Sequence, residues 1–111
     1  MSSIMSVGTE VVNGNEEECD VWVDRRSRFG NPFKIEDFTD EFSSKRARRL
    51  VVELYAQWFL HKVAADEEFK EAVEELELKK LGCHCKPKDC HADVIATYLD
   101  HGAMQVRETY G

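Results

Sequence analysis

The chain has 111 residues, which is enough for one domain of ordinary size and too short for most multidomain enzymes. Hydrophobic residues make up 42% and charged residues 33%, so the chain can form a core beneath a highly charged surface. Its formal charge of -7 argues against non-specific nucleic-acid binding, which depends on attraction to phosphates. Because it has no long apolar run and no signal-peptide pattern, we expect no membrane contact and a cytoplasmic location, the host cytoplasm for a viral protein.

The first half of the chain predicts two strands and a long helix. Residues 9–12 and 20–23 are rich in β-branched or aromatic residues, and turn residues follow each of them. Ser43 or Ser44 can cap a helix that ends near Val63. The apolar face of this helix, spaced at three and four residues, consists of Leu50, Val51, Leu54, Tyr55, Trp58 and Phe59. We expect the basic residues near its start to solvate it or to pair with acidic groups, namely Lys45, Arg46, Arg48 and Arg49. The alternative is that an anionic ligand binds there or at the segment around Arg25, Arg26 and Arg28.

The second half predicts a helix, a strand and a last helix. Asp66 can cap a surface helix with a narrow apolar stripe, formed by Phe69, Val73 and Leu76. Residues 81–85 predict a short strand. Asp89 is the predicted N-cap of the last helix, and Gly102 closes it. Residues 1–8 and 103–111 are predicted as irregular tails, with a late strand as the alternative for the C-terminal stretch.

The order of these elements predicts an α/β fold in one small domain that spans residues 1–111. The crossover from the second strand through two helices to the third favours parallel pairing. We therefore expect a short, mostly parallel or mixed sheet of about three to four strands, packed with about three helices. The predicted core consists of Val21, Val23, Phe33, Leu54, Trp58, Leu81, Cys83, Val94, Ile95 and Tyr98.

Two segments of the chain carry a resemblance to a known family. Residues 21–33 end in Gly-Asn-Pro-Phe, and residues 83–91 have the pattern Cys-x-Cys-x-Pro-x-x-Cys-His. With the helix that holds Tyr55 and Trp58, they resemble domain of unknown function family forty-three twenty-six, which is frequent in bacteriophages, archaeal viruses and prokaryotes. The resemblance spans roughly residues 11–99 and implies a fold and a site, but no established activity. Asp24 and His84 stand where the family usually has glycine and an aromatic residue.

The loop that ends in Gly-Asn-Pro-Phe carries groups that suit a phosphate or a carboxylate. The candidate ligand-binding residues are Arg25, Ser27, Arg28, Gly30 and Asn31. Parallel strands bring their carboxyl ends to one edge, so we expect this loop to meet residues 86–91 and to form a site for a nucleotide, nucleoside or sugar phosphate. Gly30 offers a positive φ or a close backbone approach. The open alternative is a purely structural turn that places Phe33 in the core.

The second segment supplies a candidate reactive pair. Cys90 is predicted in the first helical turn, where the helix dipole and free amides stabilise a thiolate. His91 can act as acid or base, so Cys90 and His91 are the candidate catalytic residues, although successive helical residues point about 100° apart. One alternative is that the cysteines are small core residues. Another is a zinc site, which the extended Cys-x-Cys spacing disfavours, with the ligands Cys83, Cys85, Cys90 and His91.

Two classes of function remain open at this stage. The first is binding or processing of a small anionic ligand at the two loops. The second is a non-enzymatic viral or host-interaction protein that uses an acidic surface, with Glu67, Glu68, Glu71, Glu74 and Glu75. The sequence does not decide whether the protein is an enzyme, which ligand it takes or which oligomer it forms.

Overall fold

The structure, a computed structural model, describes residues 8–84, 88 and 90–111. Its strands are β1 (Glu10–Asn13), β2 (Val21–Trp22) and β3 (Lys80–Cys83). Its α-helices are α1 (Ser44–Ala65), α2 (Glu67–Glu74), α3 (His91–His101) and α4 (Ala103–Tyr110), and a 3-10 turn lies at Ile35–Asp37. None of the helices in these ranges is long and apolar enough to cross a membrane. The predicted α/β class is confirmed, with one α-helix more than expected.

The sheet has the strand order β1-β3-β2, and both pairings are parallel. Leu81 of the central strand lies opposite Val11 on one side and Val21 on the other. The chain passes from β2 through α1 and α2 to β3, which is the crossover that predicted parallel pairing. Because all three strands run in the same direction, the loops that follow them leave the sheet at the same edge.

Helix α1 supplies the largest share of the core. It begins where predicted, since the Ser43 hydroxyl accepts a hydrogen bond from the Arg46 N–H at 3.2 Å. Phe59 is completely buried and its ring contacts those of Tyr55, Phe69 and Tyr98. The buried stripe of the helix consists of Ala47, Val51, Val52, Tyr55, Ala56, Phe59 and Val63. It is therefore rotated from the predicted face toward Val52 and Ala56.

The prediction of the core is wrong for two residues. Phe33 and Leu54 are only half-buried and lie outside the core cluster. Phe29 takes the place expected for Phe33, because its carbonyl accepts a hydrogen bond from the buried Tyr55 hydroxyl at 2.8 Å and its ring packs on Phe69. The loop therefore enters the core four residues earlier than predicted.

The short helix α2 is a surface helix with a narrow apolar stripe, as predicted. The Asp66 carboxylate caps it by accepting from the Phe69 N–H at 3.1 Å. Phe69, Val73 and Leu76 are buried. The acidic residues of the opposite face are exposed, namely Glu67, Glu68, Glu71, Glu74 and, after the helix, Glu75.

The C-terminal residues form helix α4, so the prediction of an irregular tail or a strand is wrong. Val106 is completely buried. The Arg49 guanidinium of α1 lies 5.2 Å from the centre of the Tyr110 ring and donates to the Thr109 carbonyl at 2.7 Å. Because Arg49 stands 60 positions earlier in the chain than Thr109, the local pattern of residues 103–110 could not reveal these contacts.

Replacement of the central aromatic residue of the core should be severely destabilising. Phe59→Ala should lower the free energy of unfolding by about 3–5 kcal/mol, because it removes a completely buried ring. Gln57→Ala is a control on the exposed side of the same helix and should change it by no more than about 0.5 kcal/mol. Urea denaturation of the three proteins measures both effects. Equal stability of Phe59→Ala and the wild type would contradict this core.

Candidate functional site

The loop after β2 is closed by hydrogen bonds to its own backbone. The Ser27 N–H and hydroxyl both donate to the Asp24 carbonyl, at 3.0 Å and 2.8 Å. The same hydroxyl accepts from the Phe29 N–H at 3.1 Å. Ser27 therefore holds this turn, and its role as a ligand-binding residue stays a prediction.

Gly30 and Asn31 fix the end of the same loop. A side chain at Gly30 would place its Cβ 2.6 Å from both the Cα atom and the carbonyl oxygen of Arg25, so the close backbone approach, and not a positive φ, requires glycine. The buried Asn31 amide donates to the Val51 carbonyl at 3.2 Å and accepts from the Phe33 N–H at 2.8 Å. The Arg25 guanidinium donates to the Asn31 carbonyl at 2.6 Å. The loop is thus attached to α1, and Arg25 is attached to the loop.

Helix α3 begins one residue later than predicted. Cys90, and not Asp89, occupies the N-cap position, with an extended backbone at φ -144 and ψ 149. Its sulfur accepts from the Ala92 N–H at 3.5 Å, and its own N–H donates to the Asp93 carboxylate at 3.2 Å. Sulfur and carboxylate together therefore cap the helix, while Asp89 lies outside the described residues.

The N-cap position of Cys90 changes the geometry expected of the Cys-His pair. Two successive helical residues point about 100° apart, but Cys90 is not helical. Its Sγ lies 3.8 Å from Nδ1 of His91, and both residues are buried. The separation of about 100° between successive helical residues therefore does not apply to this pair.

The ring nitrogen of His91 that points away from Cys90 is hydrogen-bonded to the residue that follows β2. Its Nε2 forms a hydrogen bond with the Val23 carbonyl, and the edge of its ring meets the Tyr55 ring with 5.1 Å between centres. A carbonyl can only accept, so Nε2 carries the proton and Nδ1 faces the sulfur. Burial, and secondarily the charge of Cys90, raises the pKa of Tyr55 well above 10.0. Tyr55 therefore stays a neutral donor to Phe29.

The two loops meet around one small cavity. It has a volume of about 30 Å³ and is lined by Arg25, Asn31, Ile35, Arg48, Val51, Val52, Cys90 and His91. A water molecule needs about 10–15 Å³ on this measure, whereas sites for whole small molecules have about 300–1,000 Å³. The cavity can therefore admit one end of a ligand, and the remainder of a larger ligand must lie outside it.

The structure adds Arg48 to the predicted residues and does not bring Arg28 to the cavity. Arg28 is exposed and is not among the described lining residues, so its ligand-binding role stays a prediction. In the sequence, Arg48 belongs to the basic cluster at the start of α1. Its spacing of four residues from Val52 and seven from Tyr55 places it on the buried side of the helix. That spacing is the sequence signal that could have identified it.

The cavity is positively charged within an acidic protein. Of the described residues that line it, two are arginines and none is acidic. The nearest carboxylate in the loop, Asp24, lies 3.2 Å from both the Arg26 guanidinium and the His84 ring. Asp24 is therefore occupied by other partners, and Arg25 and Arg48 are the charged residues among the described residues that line the cavity.

The alternative zinc site concerns residues that the structure describes only in part. Cys83 lies in the central strand and is 1% exposed, and Cys85 lies outside the described residues. Among the residues that are described, no group of three metal-binding side chains is placed to hold an ion. Zinc binding at these residues stays an untested alternative, which the Cys-x-Cys spacing disfavours.

The Asp24 carboxylate links the loop to the end of β3. Burial raises the pKa of Asp24, but hydrogen bonds from His84 and Arg26 together outweigh it and hold the pKa below 3.8. The His84 ring also lies 2.9 Å from the Asn15 amide and 5.0 Å from the Trp22 ring, between ring centres. Ionised Asp24 thus joins the three loops at this edge of the sheet.

Protonation of Asp24 should weaken the fold at low pH. Because its folded pKa lies below the unfolded value of about 3.9, its contribution to stability is complete above that pH and is lost as the pH falls through the folded pKa. Asp24→Asn should therefore lower the melting temperature at pH 7. Between about pH 4 and 2, the melting temperature of this variant should fall less than that of the wild type. Asp37→Asn, at an exposed position, is the control. Melting curves in which Asp24→Asn keeps the full acid-induced fall would contradict this assignment.

Comparison with known proteins places the chain in a family. The description "Domain of unknown function (DUF4326)" belongs to the family that matches residues 10–101. The chain is also similar to the uncharacterised 12.4 kDa protein in the nrdA-td intergenic region of Enterobacteria phage T4, with 34% identity over 100 residues that cover 86% of this chain and 83% of the phage protein. No solved structure matches the chain significantly. The chain therefore belongs to the DUF4326 family.

Proposed function

We propose that the protein binds a small anionic ligand of the nucleotide or sugar phosphate class at the cavity between its two loops. The observation that supports this proposal is the convergence of Arg25 and Arg48 with Cys90 and His91 around one cavity. The anionic group would lie against the two guanidinium groups. The reacting end would face the sulfur and the imidazole.

The two arginines suit a phosphate or a carboxylate. A guanidinium has five N–H donors, so the bond from Arg25 to the Asn31 carbonyl, the one it forms with the described residues, leaves donors for a ligand. Two parallel charge-assisted hydrogen bonds can join such a fork to a carboxylate or phosphate. In a protein with a formal charge of -7, a local pair of cations favours a small anion over an extended polyanion such as a nucleic acid.

Asn31 contributes to this site by holding the loop. Its side-chain nitrogen and oxygen are both bonded to backbone groups, of Val51 and of Phe33. We therefore assign specificity for the ligand to Arg25 and Arg48. A role for Asn31 in recognising a base or a sugar would require it to release one of these bonds.

Loss of Arg48 should weaken anion binding without unfolding the protein. We expect ribose 5-phosphate, adenosine monophosphate or inorganic phosphate to raise the melting temperature of the wild type, because a ligand of the folded state stabilises it. Arg48→Ala should weaken binding in calorimetric titrations by about 1.5–3 kcal/mol, the range for charge-assisted hydrogen bonds. Lys45→Ala removes the same charge from an exposed position of the same helix and should bind as the wild type does.

Two results would contradict the proposal. One is that none of these anions raises the melting temperature at low ionic strength, where electrostatic binding is strongest. The other is an equal loss of binding in Arg48→Ala and Lys45→Ala, which would indicate an effect of net charge alone. Measurement of all variants at two salt concentrations separates these cases.

A second candidate function is binding of a basic partner through the acidic face of α2. The supporting observation is that its acidic residues are exposed, namely Glu67, Glu68, Glu71, Glu74 and Glu75. Binding of an oligolysine probe, together with no binding of the small anions, would favour this candidate over the first. Under that outcome the protein would act through its surface.

A further inference from the structure

We infer that Cys90 and His91 form a nucleophile and base pair, oriented by the Val23 carbonyl, that attacks an electrophilic carbon of a small substrate. The inference deepens the proposed function, on which it rests for the anionic character of the substrate. The thiol chemistry rests on separate observations, namely the contacts of Cys90 and His91 themselves.

The contacts of His91 define where the proton lies. The Val23 carbonyl accepts from Nε2, so Nε2 is protonated in either charge state of the ring. Nδ1 then faces the Cys90 sulfur at 3.8 Å. It accepts the thiol proton in the neutral pair and donates to the thiolate in the ion pair. Both states keep the same geometry, so transfer of the proton requires no movement of the ring.

Contacts at the start of α3 favour the Cys90 thiolate, whereas the burial of this residue, which is 1% exposed, favours the neutral thiol. Its sulfur accepts from the Ala92 N–H and caps a helix of 11 residues, whose dipole stabilises negative charge at this end. The Asp93 carboxylate opposes this effect and is itself occupied by the Cys90 N–H. Cys83 offers an internal comparison, because it is equally buried, at 1% exposed, but lies in the central strand.

The reaction balances without any redox step. The Cys90 proton moves to Nδ1 of His91, the sulfur forms a bond to the substrate carbon, and the bond from that carbon to its leaving group breaks. The leaving group departs with the electron pair and takes the proton from Nδ1. Water then attacks the same carbon, transfers one proton to Nδ1 and its hydroxyl group to the carbon, and the bond from carbon to sulfur breaks. The departing thiolate recovers the proton from Nδ1, so the pair is restored and the net reaction is hydrolysis of the substrate.

The cavity determines which substrates fit. Its volume of about 30 Å³ admits the electrophilic carbon and few further atoms. Arg25 and Arg48 line the same cavity, so a carboxylate or phosphate close to that carbon can bind them while the sulfur attacks. The inference therefore specifies a small substrate with its anionic group near the reacting carbon.

Alkylation by a charged and a neutral reagent tests the pair. Iodoacetate and iodoacetamide both transfer a two-carbon group to a thiolate and release iodide, and peptide mass spectrometry measures the rate at each cysteine. At pH 7 we expect Cys90 to react at least about 10-fold faster than the equally buried Cys83. We also expect the ratio of the iodoacetate rate to the iodoacetamide rate to be higher at Cys90 than at the half-buried Cys19.

Variants separate the roles of the two partners. His91→Gln retains a donor for the Val23 carbonyl and should slow alkylation of Cys90 at least about 10-fold. Cys90→Ser keeps an N-cap residue and should remove the fast reaction while retaining the melting temperature. If His91→Gln does not fold, or if the reagents do not reach the sulfur, a pH titration of the wild type replaces the alkylation experiment. The ¹³Cβ signals of labelled cysteine then show at which pH the Cys90 thiol loses its proton. A Cys90 thiol that stays protonated beyond about pH 8.5, the free value, would overturn the inference.

The reagents also distinguish this inference from the proposed function. Loss of the iodoacetate preference in Arg48→Ala, with an unchanged iodoacetamide rate, supports both. A reactive Cys90 without any preference for iodoacetate would contradict the anion site and leave the pair standing. Normal anion binding with a protonated, unreactive Cys90 would contradict the pair and leave the anion site standing.

Discussion

One hydrogen bond, from His91 to the Val23 carbonyl, determines how the two halves of the site meet. It joins the start of α3 to the end of β2 across 68 positions of the chain. Because Nε2 is committed to that carbonyl, Nδ1 is directed at the Cys90 sulfur. The position of the loop beside α3 and the orientation of the His91 ring toward Cys90 therefore depend on the same contact.

The remaining geometry of the site follows from how the core packs on α1. Tyr55 donates to the Phe29 carbonyl and its ring meets that of His91, while Asn31 bonds to the Val51 carbonyl. About two turns of one helix, from Arg48 to Tyr55, thus position both loops. Since these contacts also bury apolar side chains, the stability of the fold and the shape of the cavity have a common origin.

Features with local causes could be predicted from the sequence. The caps at Ser43 and Asp66, the close of α3 at Gly102 and the parallel crossover all depend on neighbouring residues or on chain order. Features that depend on residues far apart in the chain could not be predicted. Helix α4 depends on Arg49, and the choice of Phe29 over Phe33 depends on the Tyr55 hydroxyl. The approach of Cys90 to His91 follows from a sulfur acting as N-cap, a role for which oxygen side chains are the usual expectation.

The protonation of His91 tests the account most directly, because every step of the proposed chemistry depends on which ring nitrogen is bound to the backbone. Two-dimensional ¹⁵N–¹H correlation of the imidazole in the folded, reduced protein identifies the protonated nitrogen without any ligand or variant. The account predicts a proton on Nε2 throughout the titration, with Nδ1 changing its state together with the Cys90 thiol. A neutral ring with its proton on Nδ1 and a bare Nε2 would contradict the hydrogen bond to Val23 and the pair that it orients.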